Sequence, residues 1–220
     1  MRRNQHILYI LFLLTLIACN GKEQETEHVS NNIEPAVTTA DTSVAEKPEL
    51  ARTVVDSAFL IVPGKQVGKV ALGMTTEKVI SLIGKPDSGD AAMGKALSFW
   101  ISNSKRRSYH YLAIFSSLSR DEMPQHVVRQ IQVTSPRFHT PANLSTGDPI
   151  AAIRSKLSVL PVAYYLTDDQ EKVYIFDDAA NGIAFEVSAI DSLCTAITVH
   201  EPGKTVQQAY LPIHPDLVQL

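Results

Sequence analysis

The chain has 220 residues, 45% of them hydrophobic and 20% charged, with a formal net charge of −3. Residues 51–220 carry as many acidic as basic side chains, so the basic footprint of a nucleic-acid binder is missing and no nucleic-acid partner is expected. Only two cysteines occur, Cys19 and Cys194, which limits the chain to a single possible internal disulfide.

Arg2 and Arg3 precede an almost unbroken apolar run, Ile7 to Ala18, that closes on Cys19. A helix needs about 20 apolar residues to cross the hydrocarbon core, so this shorter run reads as a cleaved signal peptide over residues 1–18. Leu16-Ile17-Ala18-Cys19 resembles a bacterial lipobox. That resemblance implies a diacylglyceryl group on Cys19, cleavage after Ala18 and an acyl chain such as palmitate on the new amino terminus. Each buried acyl CH₂ contributes about 0.8 kcal/mol, so several chains together form a stable membrane anchor. With Cys19 modified, Cys194 has no partner for a disulfide. Asn20 follows, rather than the Asp that resembles an inner-membrane retention signal, which favours the outer membrane. Gly21-Lys22-Glu23-Gln24-Glu25 resembles the lipoprotein export signal of Bacteroidota, so the expected location is the cell envelope, on its periplasmic side or at the surface.

Residues 19–57 read as the lipidated cysteine plus a disordered acidic tether. No Phe, Trp or Tyr occurs from Asn20 to Ser57, and Lys22 to Glu49 holds seven acidic residues against two lysines. Such a stretch cannot bury enough apolar surface to offset its ordering entropy. As a flexible coil it reaches on the order of 30–35 Å.

An internal likeness follows. Val70 to Gly84 aligns without gaps to Leu144 to Ser158, matching Gly73 to Gly147, Val79 to Ile153 and Ile83 to Leu157. Thr75 is a good N-cap with Glu77 in the first turn, and Gly84 with Pro86 supplies a stop. In the second copy Asp148 is the expected cap and Pro149 the first helical residue. The apolar residues recur at three-to-four spacing, so each short helix can bury one face. Strand-like runs come after each helix: Ala96 to Ile101, Tyr109 to Phe115 and Val127 to Thr134, then Val162 to Leu166, Lys172 to Phe176, Ile183 to Val187 and Thr195 to Val199. Asn181-Gly182 signals a hairpin, since both residues tolerate positive φ. The expected fold is α+β: two repeats of a short helix followed by antiparallel strands, helices packed on one face of a sheet. The first repeat is placed at 58–137, and the second, with a C-terminal tail, at 138–220.

Gly73-Met74-Thr75-Thr76-Glu77-Lys78-Val79-Ile80-Ser81-Leu82-Ile83-Gly84-Lys85-Pro86-Asp87 resembles the signature of the barrel-assembly lipoproteins of the SmpA/OmlA type and the repeats of the β-lactamase inhibitor protein family. The resemblance implies a small secreted or lipidated module that binds other proteins and has no active site. The barrel-assembly lipoproteins carry one such unit, whereas two are read here, and the inhibitors are stapled by disulfides that this chain cannot make.

Residues able to carry chemistry are scattered. His110, His126, His139, His200 and His214 show no HExxH spacing and there is no Cys-x-x-Cys, so no metal or cofactor is expected. Asp168-Asp169 and Asp177-Asp178 read as turn residues. Cys194 lies in a strand pattern and reads as a small buried residue. Ser102-Asn103-Ser104-Lys105 matches Ser-x-x-Lys by letter but falls between strands. The expectation is therefore a non-enzymatic envelope module whose partner is an envelope protein or polymer, with Trp100, Tyr109, Tyr111, Tyr164 and Tyr165 as the candidate interaction surface. The alternative is a small-ligand carrier or envelope enzyme with a pocket between the two repeats.

Overall fold

In the computed structural model the described residues are 56–102, 109–207, 214 and 216–220. A carboxylate oxygen of Asp56 accepts the N–H of Ala58 and caps a 3-10 turn, Ser57–Phe59. Three two-residue strands follow, β1 (Ile61–Val62), β2 (Gln66–Val67) and β3 (Val70–Ala71), paired antiparallel in a small sheet. Helix α1 (Thr76–Ile83) starts where Thr75 Oγ1 accepts the N–H of Lys78, and stops at Gly84. The chain then makes β4 (Ser88–Ala92), β5 (Lys95–Ile101), β6 (Tyr111–Leu118) and β7 (His126–Val133). After α2 (Ile150–Arg154) come β8 (Leu160–Leu166), β9 (Lys172–Asp178), β10 (Ile183–Ser188), β11 (Cys194–His200) and β12 (Val218–Gln219).

β4 to β12 form one nine-stranded antiparallel sheet in the order β12-β8-β9-β10-β11-β7-β6-β5-β4. This overturns the expected α+β layout of two repeats with helices packed on a sheet. The molecule is mostly β, with two short helices among the described residues. The physical reason is the pairing of β11 with β7, Ile197 opposite Val133 and Thr198 opposite Gln132, which fuses the strand runs on both sides of residue 138 into one sheet. The second helix is also shorter than expected. Pro149 occupies the cap position without a side-chain bond, and Asp148 instead accepts the N–H of Ser145. What the aligned segments share is one local turn. Gly73 and Gly147 both have positive φ, 78° and 92°, a region that glycine enters without steric cost. Their N–H groups donate to Val128 O at 2.8 Å and Cys194 O at 2.7 Å.

The strand alternation sorts the sheet into two faces. One face carries Ile114, Ile131, Val133, Phe185, Ile197 and Val199, and packs with Val79 of α1, Ile153 of α2 and the small sheet's Ile61, Val67 and Val70. Phe185 is wholly buried there, a contribution of roughly 1.5–3 kcal/mol from burial alone. The other face is polar and equally closed to water at its centre: Gln130, Gln132, Thr198, His200, Asp177 and Glu186 are all buried. Part of the C-terminal segment lies over it, with Val206 packed on Ala163, Ile175 and Ala184 and with β12 paired to β8. No helix of the described residues is long and apolar enough to cross a membrane.

Candidate functional site

The polar face is built by register. Gln132 sits opposite Thr198 on β11, and Glu186 on β10 sits opposite Ala196, so their side chains meet over small neighbours. Glu186 accepts three hydrogen bonds: from Gln132 Nε2 at 2.6 Å, from the Tyr165 hydroxyl at 2.9 Å and from His214 Nε2 at 3.1 Å. Gln132 in turn accepts the Tyr111 hydroxyl at 3.0 Å, and the Tyr165 ring stacks on His214 with centroids 3.5 Å apart. Burial first, and the Glu186 charge second, push both tyrosine hydroxyls far above their ordinary pKa. Beside them His200 Nε2 donates to Asp177 Oδ1, and the other oxygen of Asp177 accepts the N–H of Val206. Both oxygens of each acid therefore accept from neighbours, and the C-terminal segment supplies part of that satisfaction. A general acid or base needs a reacting group within hydrogen-bond reach, and here those positions are filled by the protein itself.

Open space lies elsewhere, at the end of β5 and the start of β6. A groove of about 370 Å³ is lined there by Phe59, Trp100, His110, Tyr111, Arg137 and Phe138, among others. Its shape is fixed by neighbouring contacts. The Phe59 and Phe138 rings meet edge to face at 5.3 Å, and the Arg137 guanidinium lies 4.0 Å over the Phe59 ring. Trp100 Nε1 donates to Gly84 O at 3.1 Å, and His110 Nδ1 donates to Thr134 O at 3.0 Å. The groove is thus aromatic and mainly apolar, with one cation at its wall.

The five aromatic residues named from the sequence do not share one patch. Trp100 and Tyr111 line this groove, and Tyr109 is 73% exposed next to His110. Tyr164 stands on β8, under the Lys172 ammonium at 4.2 Å and tilted against Tyr174, while Tyr165 enters the Glu186 network. Cys19 and the tether up to residue 55 lie outside the described residues, while Asp56 and Ser57, counted with the tether, cap and open the 3-10 turn instead. Sequence reasoning missed Phe59, Arg137 and Phe138, which flank the groove from separate connectors that no periodic pattern marks. It also placed Asp177 in a turn, whereas Asp177 is buried at the end of β9 and only Asp178 does turn work, accepting both the backbone and side-chain N–H of Asn181. Cys194 is buried on β11 and burial raises its thiol pKa. Among the described residues no three His, Cys, Asp or Glu side chains gather as a metal site.

Together these observations define a mostly β protein with a closed polar layer and an open aromatic groove. No family model, curated protein or solved structure matches the chain.

Proposed function

We propose that the protein is a lipid-anchored module of a bacterial cell envelope, held at the outer membrane through Cys19, that binds an envelope protein or polymer without catalysing a reaction. The observation that carries this reading is the aromatic groove around Trp100, Phe59 and Phe138. Rigid rings present a large contact area at little entropic cost, which is why such residues anchor binding surfaces. Arg137, stacked on Phe59, adds a directional polar contact at the rim. The anchor rests on the resemblance of Leu16-Ile17-Ala18-Cys19 to a lipobox and on the acidic, aromatic-free stretch behind it.

The test is crosslinking of the full-length protein in its own envelope, comparing the parent with Cys19→Ala and Ser135→Trp. Ser135 lines the groove, so a tryptophan there fills it. The expected result is that Cys19→Ala leaves the membrane fraction, while Ser135→Trp stays in it and loses the crosslinked partner. A membrane-bound Cys19→Ala form overturns the anchor. Equal capture by Ser135→Trp overturns the groove.

A further inference from the structure

Among the described residues the C-terminal segment covers the polar face over β8 to β11, through Val206, His214 and Leu217. Farther across that face, where β5 begins and β6 ends, a second and larger groove opens, about 820 Å³ in volume. Phe115 and Val127 lie among its lining side chains, with Lys95, Arg120, Arg129 and Lys204 against Asp121 and Glu201. Four cations thus face two carboxylates, although the charges of residues 51–220 sum to zero.

Two of the four cations, Arg129 and Lys204, are held by neighbouring side chains. Arg129 sits at the register shift between β6 and β7, where the strand bulges, and its Nε donates to Ser117 Oγ at 3.1 Å. That bond holds the guanidinium against the wall of the groove. Lys204 donates to Glu201 at 2.7 Å, so one of the two carboxylates is already matched. The bond from Lys204 first, and the charges of Lys204 and Arg129 after it, hold the Glu201 carboxyl below its ordinary range. Like charges on a concave wall focus their field into the cleft. Guanidinium groups match phosphate and carboxylate oxygens in a planar, bidentate way.

We propose that this groove binds a small, multiply charged oxyanion, a phosphate- or carboxylate-bearing molecule, with Arg129 and Arg120 as its anchoring cations. The volume falls within the roughly 300–1,000 Å³ of small-molecule sites, and the residues come from both ends of the sheet sequence, β5 to β7 and the segment after β11. The site is separate from the aromatic groove and does not depend on the membrane anchor, so either reading can fail alone.

The experiment is calorimetric titration of the full-length protein in detergent with two probes, pyrophosphate and citrate, at low and at physiological ionic strength. Saturable binding of at least one probe is expected, weakening as salt screens the site. Arg120→Gln combined with Arg129→Gln is expected to weaken it by roughly tenfold or more. Lys172→Gln, which removes a cation over Tyr164 instead, is expected to leave it unchanged. Arg120 is exposed between β6 and β7, so Arg120→Gln alone keeps the Arg129–Ser117 bond and still reports a loss of affinity should the double variant unfold. Tighter pyrophosphate assigns a phosphate ligand, and tighter citrate a carboxylate one. No saturable binding of either probe overturns the proposal, as does unchanged affinity in the arginine variants.

Discussion

His200 and Asp177 meet Nε2 to Oδ1 at 3.0 Å, with side chains 0% and 1% exposed. The other ring nitrogen of His200 lies 3.2 Å from the carbonyl oxygen of Glu201. The His200–Asp177 bond ties β9 to β11, and the other oxygen of Asp177, accepting the Val206 N–H, adds the segment that follows.

Asp177→Asn is expected to destabilise the protein by roughly 1–3 kcal/mol, because the amide has one acceptor oxygen where the buried carboxylate had two, for His200 and for the Val206 N–H. Urea denaturation measures this. Asp90→Asn on the exposed strand β4 is the control and should stay within about 0.5 kcal/mol. A loss below about 1 kcal/mol for Asp177→Asn would reduce the pair to the worth of a surface contact.

Glu186 is the hub of the second network. Glu186→Ala strands Gln132, Tyr165 and His214 donors at once, and a loss of about 2–5 kcal/mol is expected. Glu186→Gln keeps the shape and one carbonyl acceptor, so its cost should be clearly smaller. Equal costs for the two variants would mean that packing, not hydrogen bonding, holds this site.

The buried tyrosines set an alkaline limit. Tyr111 and Tyr165 keep their protons in the folded state well above the ordinary value of 10.0, through burial first and the Glu186 charge second. The unfolded chain releases those protons near its ordinary value, so the stabilisation is complete below pH 10 and declines as pH rises past it. Urea midpoints from pH 8 to 11 should fall at the top of that range. A Tyr165→Phe variant, lacking one of the two hydroxyls, should fall less steeply.

Cys194 offers a probe of global opening. It is 2% exposed, and burial raises its thiol above the ordinary 9.0. In a Cys19→Ala background, where it is the sole thiol, Ellman's reagent at pH 8 should react more slowly with the native protein than in urea by roughly a thousandfold or more. Comparable rates in the two states would place Cys194 on a locally opening strand.

Local chemistry was legible in the sequence where one element decides it. Thr75, Glu77 and Gly84 announce α1 correctly, and the alternation in Val127 to Val133 marks β7. The same alternation leaves the environment of the other face open. Gln130 and Gln132 are polar yet buried, Gln130 against Val206 and Gln132 against Glu186 and Thr198, and a period of two says only that faces differ, not which one is wet. β4 was missed because Ser88 to Ala92 is exposed on both sides of an edge strand and carries no alternation at all. The fold class failed for a related reason. Whether two strand runs form two sheets or one depends on β7 finding β11, and no local pattern encodes that choice. The aromatic groove was half legible: Trp100 and Tyr111 stood out as large rings, while Phe59, Arg137 and Phe138 reach the same place from connectors that only the folded chain brings together.

The pairing of Val133 with Ile197 joins residues more than sixty positions apart in the chain. Closing so long a loop must precede any reward from the contact, so the β7–β11 seam carries the largest loop-closure cost of the pairings in this sheet. As the chain emerges from synthesis, β7 waits with an unpaired edge until β11 arrives, and that interval is when strand-to-strand misassociation between copies threatens most.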